Sequence, residues 1–519
     1  MKVIQATIFL VGVVLFASQN CHALQARGKH ASSQEILSVL KDCVVSSGSN
    51  PSDIVEYLVD DLAVYTELNY QWNLIHERKY PLGYFTVRNA NDVQAAVRCA
   101  TAQGVRIVAK GGGHSYEAYS FGDTGAFIVD LRHMFEMYVS PDRQWFSIGA
   151  GALLGQIAYP LLEQYNLLTP HGTCPTVGIT GLATGGGYGY MSKLFGLTTD
   201  NILEVEMVDA EGSLLVVNEQ TYPDLFWALR GAGSGSFGII TKLSFKTYEA
   251  PVLVTAGEIT YPLSQFVQVF IQWQLLVRDY LTSRDMNTKL AIKNGILIVE
   301  AFDIQVSDDN VEDAIERVQH ILNKFPVTSL NSTSVIADRY VDFIFRTSHP
   351  NDVGIEDPSQ LPNVTRNMFT RRNFHAKSFF VSNLLELADA MALYNLLLET
   401  VEDIKDIIIE MYAFGGAIND KTPLDTSFNH RNGILYLVQA FYNAQDTMNP
   451  SEPSLDWLAR FYELTKVRFR HTQSYQNYAD GTMPDYLERY YGSNLDGLVQ
   501  IKRKYDPRNI FHHPQSIPI

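Results

Sequence analysis

The sequence predicts a two-lobed α+β protein, on two observations. Residues 33–248 alternate helical and strand patterns, as where an Asn-capped helical segment is followed by the β-branched strand "VRIV" and then by a glycine turn. From Pro251 the pattern changes, because strand-like runs such as "LAIKNGILIVEAFDI" are separated by long helical segments. We therefore expect a second domain with an antiparallel sheet. One face of that sheet covers a ligand site and the other is backed by helices.

The length of 519 residues predicts more than one domain. Residues 1–23 have the pattern of a signal peptide, and residues 24–250 form the N-terminal part of the first domain. Residues 251–455 form the second, substrate-binding domain. Residues 456–519 are too ordered in pattern for a tail, so we expect them to return to the first domain.

The first 23 residues carry one lysine, an apolar stretch from Val3 to Ala17 and small or polar residues before Ala23. This stretch is too short for a membrane span of about 20 residues but suits a cleaved secretory signal. A buried N-terminal helix is the alternative. The charged start and the polar residues that follow both argue against it. We expect a secreted protein, and the sequons at Asn331 and Asn363 fit glycosylation.

Composition is that of an ordinary globular protein, with 46% hydrophobic and 18% charged residues. The formal net charge of −16 argues against a nucleic-acid partner, because such proteins present a basic face. No run of Lys or Arg changes that interpretation, and no later segment is apolar enough to span a bilayer. We expect a monomer with no metal, no nucleic-acid partner and no membrane partner.

The chain has four cysteines, of which Cys21 leaves with the signal. An odd number of thiols in an oxidising compartment needs an explanation. Cys43 and Cys99 can pair, each in a helical segment, which leaves Cys174 for other chemistry.

Three glycine clusters stand out, at residues 110–115, 178–190 and 229–240. None has the strand–helix context and the acidic residue of a Rossmann fingerprint. Glycine-rich turns still present backbone N–H groups to a pyrophosphate. His114 follows the triplet of the first cluster directly. An isolated turn histidine is usually only hydrogen-bonded, so its meaning depends on the other motifs.

Taken together, four motifs resemble the berberine bridge enzyme-like flavin oxidases of the vanillyl-alcohol oxidase superfamily, most closely their secreted carbohydrate-oxidase branch. The motifs are "KGGGHSY", "HGTCPTVGITGLATGGGYGY", "WALRGAGSGSFGIIT" and the C-terminal "YQNYAD" with "YDPRNIFHHPQSI". They cover nearly the whole chain in the right order. The resemblance implies a PCMH-type FAD-binding fold and bicovalently bound FAD.

In that family the histidine after the glycine triplet is bonded to the 8α carbon of FAD and a later cysteine to C6. The matching residues are His114 and Cys174. The resemblance implies further cofactor contacts at Lys110, Gly111, Gly112, Gly113, Ser115, Val177, Gly178, Gly181, Gly186, Gly187, Gly189, Tyr190, Gly238, Ile240 and Asn477. Two covalent bonds prevent loss of the cofactor outside the cell, and the cofactor itself carries the redox chemistry.

Oxidation of an alcohol needs a base within hydrogen-bond reach of the hydroxyl. The family base is the second tyrosine of Tyr-x-Asn-Tyr, which matches Tyr478 in "YQNY". Tyr116, two residues past the flavin histidine, is expected to border the substrate. A tyrosine titrates near 10, so its anion needs stabilising donors or a positive charge.

Candidates for that stabilisation lie in "EMYAFGG" and "YLVQAF", namely Glu410, Tyr412 and Gln439. Glu410 and Tyr412 share a face if this segment is a strand. Leu437 stands where some plant members of the family carry a helper lysine, so that mode of activation is in doubt.

Val177, three residues past the flavin cysteine, resembles the oxidases rather than the dehydrogenases, which favours O₂ as acceptor and H₂O₂ as product. The leading hypothesis is a secreted oxidase that converts the C1 hydroxyl of sugars to lactones. Oxidation of an aromatic alcohol, alkaloid or other specialised metabolite is the alternative. A binding or defence protein with a vestigial flavin site is the third hypothesis, and the joint presence of His114, Cys174 and Tyr478 argues against it.

Overall fold

The computed structural model describes residues 32–56, 62–305, 311–326, 329–331, 335–348, 350–402, 404, 406–444 and 451–519. The predicted signal peptide with Cys21 lies outside the described residues, and so do Ser332 and Thr333 of the first sequon. Asn331 and Asn363 themselves are exposed. Glycosylation of both sequons stays a prediction.

The α-helices of the described residues are numbered α1 to α15. In order they are Ser33–Ser46, Leu62–Leu68, Ala90–Ala102, Leu154–Tyr165, Ile179–Thr184, Ser192–Phe195, Pro223–Leu229, Phe266–Asp279, Val311–Leu322, Tyr340–Thr347, Pro350–Val353, Leu387–Glu402, Glu452–Arg468, Tyr486–Tyr491 and Leu495–Tyr505.

The strands are numbered β1 to β18. In order they are Ile54–Glu56, Gly83–Thr86, Ile107–Lys110, Phe127–Asp130, Met137–Val139, Trp145–Gly149, Leu167–Leu168, Ile202–Val208, Leu214–Val217, Ile239–Lys246, Tyr248–Glu249, Leu253–Pro262, Met286–Lys293, Ile296–Gln305, Ile336–Arg339, Asn373–Val381, Ile407–Ala413 and Tyr436–Ala444.

In the part of the chain that the structure describes, the strands form three larger sheets and one short ribbon. The first sheet has the order β1-β2-β4-β3, with parallel pairing of β2 and β3 to β4. The second has the order β5-β6-β10-β8-β9 and is antiparallel. The third is a seven-stranded antiparallel sheet of order β15-β12-β14-β13-β17-β18-β16. The predicted α+β class and the antiparallel sheet after Pro251 are therefore confirmed.

The two faces of the seven-stranded sheet have different surroundings. Trp273 of α8 is fully buried and its indole N–H donates to the Thr288 hydroxyl of β13 at 3.2 Å. Successive side chains of a strand point to opposite faces, so Lys289 faces away from that helix. Helices thus back one face of the sheet, and the polar face that carries Lys289 covers the site described below.

The N-terminal helix is tied to the first sheet region by a disulfide. Ser32 and Glu35 form a capping box that starts α1. Cys43 of α1 is bonded to Cys99 of α3, with Cα atoms 5.9 Å apart. Cys174 remains a free, half-buried thiol. The predicted pairing, with Cys174 left over, is confirmed.

The C-terminal segment packs back on the first part of the chain. Lys502 of α15 is fully buried and its ammonium donates to the Ser236 carbonyl at 2.6 Å and to the Asp506 carboxylate at 2.7 Å. The Ile517 N–H donates to the Ser236 hydroxyl at 3.2 Å. Among the described residues, no helix combines the length and the apolar character needed to cross a membrane.

Candidate active site

A cavity of about 930 Å³ lies between the glycine clusters and the polar face of the seven-stranded sheet. All five predicted catalytic residues line it, namely Tyr116, Glu410, Tyr412, Gln439 and Tyr478. Side chains that are up to several hundred residues apart in sequence are therefore brought to one site.

Most of the predicted cofactor residues line the same cavity. They are Gly111, Gly112, Gly113, His114, Ser115, Cys174, Val177, Gly178, Gly181, Gly238, Ile240 and Asn477. The predicted residues that do not line it are Lys110, Gly186, Gly187, Gly189 and Tyr190.

Lys110 points into the protein interior instead of the cavity. Its ammonium lies 3.1 Å from the Asp130 carboxylate and donates to the Leu68 carbonyl at 2.7 Å. Burial lowers the pKa of Lys110 to about 8, against the opposing effect of Asp130. The expected cofactor contact at Lys110 is thus corrected, because this side chain anchors the end of β3 from behind.

The four predicted residues of the second glycine cluster that do not line the cavity pack against other parts of the protein. A Cβ on Gly187, which has φ +78, would lie 2.3 Å from the Thr198 hydroxyl. A Cβ on Gly189 would lie 1.9 Å from the His171 carbonyl oxygen. The Tyr190 ring packs against two phenylalanine rings. The glycines are needed for close packing of the backbone and Tyr190 for packing of its ring, which explains their absence from the cavity wall.

The first glycine turn is built for close approach of the backbone. A Cβ on Gly112 would lie 2.2 Å from the Gly178 backbone nitrogen, so the two loops touch where no side chain fits. Arg366 donates from Nε to the Gly111 carbonyl at 2.6 Å. Within the described residues, the N–H groups of Gly111, Gly112 and Gly113 donate to no protein acceptor. They are available to an anionic ligand in the cavity.

His114 stands at the cavity wall beside two aromatic rings. Its ring stacks on Trp72 at 5.8 Å and meets the edge of Phe369 at 5.0 Å. Nε2 lies 2.9 Å from the Thr176 hydroxyl. Burial, assisted by the charge of Arg366, lowers the pKa of His114 to about 3. The imidazole is therefore neutral near pH 7, the form in which it is a nucleophile.

Cys174 opens a tight turn in which the Val177 N–H donates to the Cys174 carbonyl at 3.2 Å. Pro175 occupies the second position of this turn, where its fixed φ is favoured. The thiol lies 3.4 Å from the Thr176 hydroxyl. Burial raises the pKa of Cys174, and hydrogen bonds from Thr176 oppose that rise.

Tyr116 and Tyr478 form a stacked pair, with ring centroids 5.6 Å apart and ring planes 5° apart. Gln439 donates from Nε2 to the Tyr116 hydroxyl at 3.0 Å. Burial raises the pKa of Tyr478 well above its ordinary value, and the charge of Glu410 raises it further. The phenol of Tyr478 is thus protonated at neutral pH unless a bound group stabilises its anion.

A cluster of charged side chains on the seven-stranded sheet lines the cavity next to the two tyrosines. The Tyr412 hydroxyl donates to Glu410 at 2.5 Å, and Lys289 lies 2.8 Å from Glu410 and 3.2 Å from Glu300. Burial disfavours the Lys289 ammonium, but the two carboxylates outweigh it and raise the pKa of Lys289 well above its ordinary value. Residue 289 pairs with residues 412 and 300 across neighbouring strands, which places these side chains on one face.

Sequence reasoning missed Lys289, Glu300, Trp72 and Thr176. The strand pattern of β13 was visible, but its alignment with β14 and β17 depends on pairing between distant segments. Leu437 is fully buried and does not line the cavity. Its neighbour in the sheet is residue 412, so Lys289 brings a positive charge to this wall from a different strand.

The residues present fit a flavin dinucleotide. Backbone N–H groups at the glycine turns suit a pyrophosphate, and a long cavity joins them to the wall that carries the stacked tyrosines. The neutral imidazole of His114 and the thiol of Cys174, both nucleophilic groups, line this space.

Two protein families match the chain. The family described as "FAD binding domain" matches residues 81–218, and the family described as "Berberine and berberine like" matches residues 474–518. The first match covers the first two glycine clusters, and the second covers the Tyr-x-Asn-Tyr motif with the C-terminal segment.

Characterised proteins are similar over most of their length. The xylooligosaccharide oxidase of Thermothelomyces thermophilus is 32% identical over 82% of this chain and 84% of its own. Monolignol oxidoreductase AtBBE-like 13 of Arabidopsis thaliana is 30% identical over 82% of each chain. The solved structure of wild-type BBE-like 1 from Physcomitrella patens has a TM-score of 0.81 at 30% identity, covering 92% of this chain and 99% of that one. The chain therefore belongs to the berberine bridge enzyme-like family of FAD-dependent oxidoreductases.

Proposed function

We propose that this protein is a secreted oxidase that converts the C1 hydroxyl of a mono- or oligosaccharide to a lactone and reduces O₂ to H₂O₂. The observation that carries the proposal is the cavity wall formed by Tyr116, Tyr478, Gln439, Glu410 and Lys289. It offers a dense set of hydrogen-bond donors and acceptors beside aromatic rings, which suits a polyhydroxylated ring with apolar faces.

We propose that FAD is held by bonds to His114 and Cys174, with the glycine turns at its pyrophosphate. Bound FAD supplies the acceptor for the hydride that the substrate carbon loses. The neutral state of His114 and its position on the cavity wall support the first bond. The free thiol of Cys174 on the same wall supports the second.

We propose that Tyr478 removes the proton of the substrate hydroxyl. A base must lie within hydrogen-bond reach of that proton, and Tyr478 lines the cavity next to Tyr116. Gln439 orients Tyr116 through their hydrogen bond. Because burial opposes the Tyr478 phenolate, its formation has to be assisted by the bound substrate and cofactor.

Glu410 and Lys289 are proposed to bind the sugar ring. Tyr412 and Lys289 hold the Glu410 carboxylate in place, which leaves an oriented acceptor for sugar hydroxyl groups. Val177, half-buried on the cavity wall, is proposed to leave space for O₂.

Secretion is part of the proposal. The Cys43–Cys99 disulfide supports it, because such bonds persist in oxidising compartments. We also retain the division into 24–250, 251–455 and 456–519, which the contacts of the C-terminal segment with Ser236 support.

An aromatic alcohol is the second candidate substrate. The wall beside His114 is aromatic, because the rings of Phe369 and Phe374 both pack on Trp72, at centroid distances of 5.4 and 5.2 Å. The relative from Arabidopsis thaliana named as a monolignol oxidoreductase agrees with this possibility. The charged cluster at Lys289 favours the sugar.

A substrate panel tests the proposal. Purified protein is offered mono- and oligosaccharides and, separately, monolignols and other benzylic alcohols, while O₂ uptake and H₂O₂ release are recorded. We expect peroxide with sugars and a lactone, or its hydrolysed acid, as product. Turnover of aromatic alcohols with every sugar inert contradicts the proposal and selects the second candidate.

A further inference from the structure

Thr176 occupies a position between the two residues proposed to hold the flavin. Its hydroxyl lies 2.9 Å from Nε2 of His114 and 3.4 Å from Sγ of Cys174. Thr176 is fully buried and does not line the cavity, whereas both of its partners do. The hydroxyl therefore contacts the two nucleophiles from behind.

The backbone around Thr176 leaves it little freedom. It lies inside the turn closed by the Val177 N–H and the Cys174 carbonyl, and Pro175 precedes it. On the other side, the Gly112–Gly178 contact holds the His114 loop against the loop of this turn. The backbone thus holds the Thr176 hydroxyl near both side chains before the cofactor binds. Little further ordering of the Thr176 side chain is then needed when the flavin is attached.

We propose that Thr176 is a positioning residue for flavin attachment, whose hydroxyl accepts from Nε2–H of His114 and donates to Sγ of Cys174. This inference rests on the proposed bicovalent FAD. A hydroxyl has one proton, so it can donate to only one of its two partners. When Nε2 carries the proton and donates it to Thr176, Nδ1 of His114 keeps the lone pair that attacks the flavin. The thiolate of Cys174 then receives the hydrogen bond that the Thr176 hydroxyl donates. Both nucleophiles are then oriented and activated by one group.

The attachment chemistry balances with O₂ as the oxidant. Each attachment forms one bond, N–C at His114 or S–C at Cys174. Each removes one hydrogen from the protein nucleophile and one from the flavin carbon. The two protons and two electrons reduce one O₂ to H₂O₂, the same acceptor and product as in the proposed reaction. Once the N–C bond has formed, Nε2 has lost its proton, and the Thr176 hydroxyl turns to donate to it after the S–C bond has formed as well.

The test compares Thr176→Ser with Thr176→Ala, a pair that differs only in the hydroxyl group. The full-length proteins are produced under riboflavin limitation, FAD is added, and aliquots are denatured over time. Peptide mass spectrometry then gives the fraction bonded at His114 and at Cys174. Non-covalent FAD binding and thermal unfolding, compared between the two variants, separate positioning from a loss of fold.

We expect Thr176→Ser to follow the wild type and Thr176→Ala to attach FAD about tenfold more slowly at both residues, the effect of one lost hydrogen bond. Equal rates in the two variants overturn the inference. If Thr176→Ala does not fold, Thr176→Val, which keeps the branched shape, takes its place with the same expected result. A wild type without covalent FAD instead overturns the proposed cofactor attachment, so the two failures are distinguishable.

Discussion

The rings of Tyr116 and Tyr478 stack with planes 5° apart and centroids 5.6 Å apart, although the two residues come from opposite ends of the chain. The stack places both hydroxyl-bearing rings at the cavity, and Gln439 fixes the first of them. Tyr478, the proposed base, is thus held in place by packing against Tyr116.

Tyr478→Phe tests the proposed base. The substitution keeps the ring stack and removes only the hydroxyl, so we expect kcat to fall by about 10²- to 10⁴-fold with the flavin content unchanged. Tyr462→Phe is the matched control, because Tyr462 is a buried tyrosine that does not line the cavity. Steady-state O₂ uptake measures both variants. Wild-type kcat in Tyr478→Phe would assign the base elsewhere.

The pH dependence of kcat is set by the charge near Tyr478. Burial raises the pKa of Tyr478 and the Glu410 carboxylate raises it further, so kcat is expected to increase with pH as the phenolate becomes accessible. Glu410→Gln removes that negative charge, while the Lys289 ammonium stays paired with Glu300. Loss of the Glu410 charge lowers the pKa of Tyr478, so the rising limb of the pH profile moves to lower pH.

The control for this prediction is Glu399→Gln, which removes a carboxylate paired with Arg460 on the surface. We expect its pH profile to match the wild type. A limb that moves to higher pH in Glu410→Gln would contradict the assignment of the charge effect.

Asp130→Asn is expected to destabilise the strand end that carries the glycine turn. The substitution leaves the buried ammonium of Lys110 without its carboxylate, at a cost of about 3–5 kcal/mol in the free energy of unfolding. Despite burial, Lys110 and Arg132 hold the pKa of Asp130 below its ordinary value. Its stabilisation is thus complete above about pH 4 and is lost as pH falls through the folded-state pKa.

Urea unfolding at pH 7 and at pH 3 checks this prediction. The difference between wild type and Asp130→Asn is expected to be larger at pH 7. Asp456→Asn, at an exposed ion pair, is expected to stay within about 0.5 kcal/mol of wild type. An equal difference at both pH values would show that charge is not the cause.

Gly112→Ala and Gly111→Ala form a matched pair within the first glycine turn. A Cβ at residue 112 would lie 2.2 Å from the Gly178 nitrogen, whereas at residue 111 the nearest atom is 3.7 Å away. We expect Gly112→Ala to lower the unfolding temperature and Gly111→Ala to leave it close to wild type. Differential scanning calorimetry measures both. Equal unfolding temperatures would mean that the two loops can separate without cost.

Structural features were predictable from the sequence where residues close together in the chain determine them. The glycine turn before His114 and an Asn cap on the helix that precedes it follow from short patterns, and the structure agrees, with Asn89 as the cap. The pairing of Cys43 with Cys99 followed instead from the count of cysteines, and the structure confirms it. The antiparallel sheet after Pro251 followed from strand-length apolar runs.

Contacts between distant segments were not predictable. Lys289 reaches Glu410 only because β13 pairs with β17 in one register, and a shift by one residue would turn it toward the helices. Lys110 was expected at the cofactor, but its direction depends on Asp130 in a neighbouring strand. Glycines near residue 187 were expected at the cofactor, but they lie against other protein atoms. A glycine in the sequence does not show whether a ligand or another part of the backbone approaches it.

Mass spectrometry of the intact and digested protein, with its visible spectrum, tests the central claim most directly. We predict the added mass of one FAD on a cross-linked peptide pair that contains His114 and Cys174, together with a flavin spectrum that survives denaturation and removal of free ligand. A folded, colourless protein with unmodified His114 and Cys174 would contradict the claim.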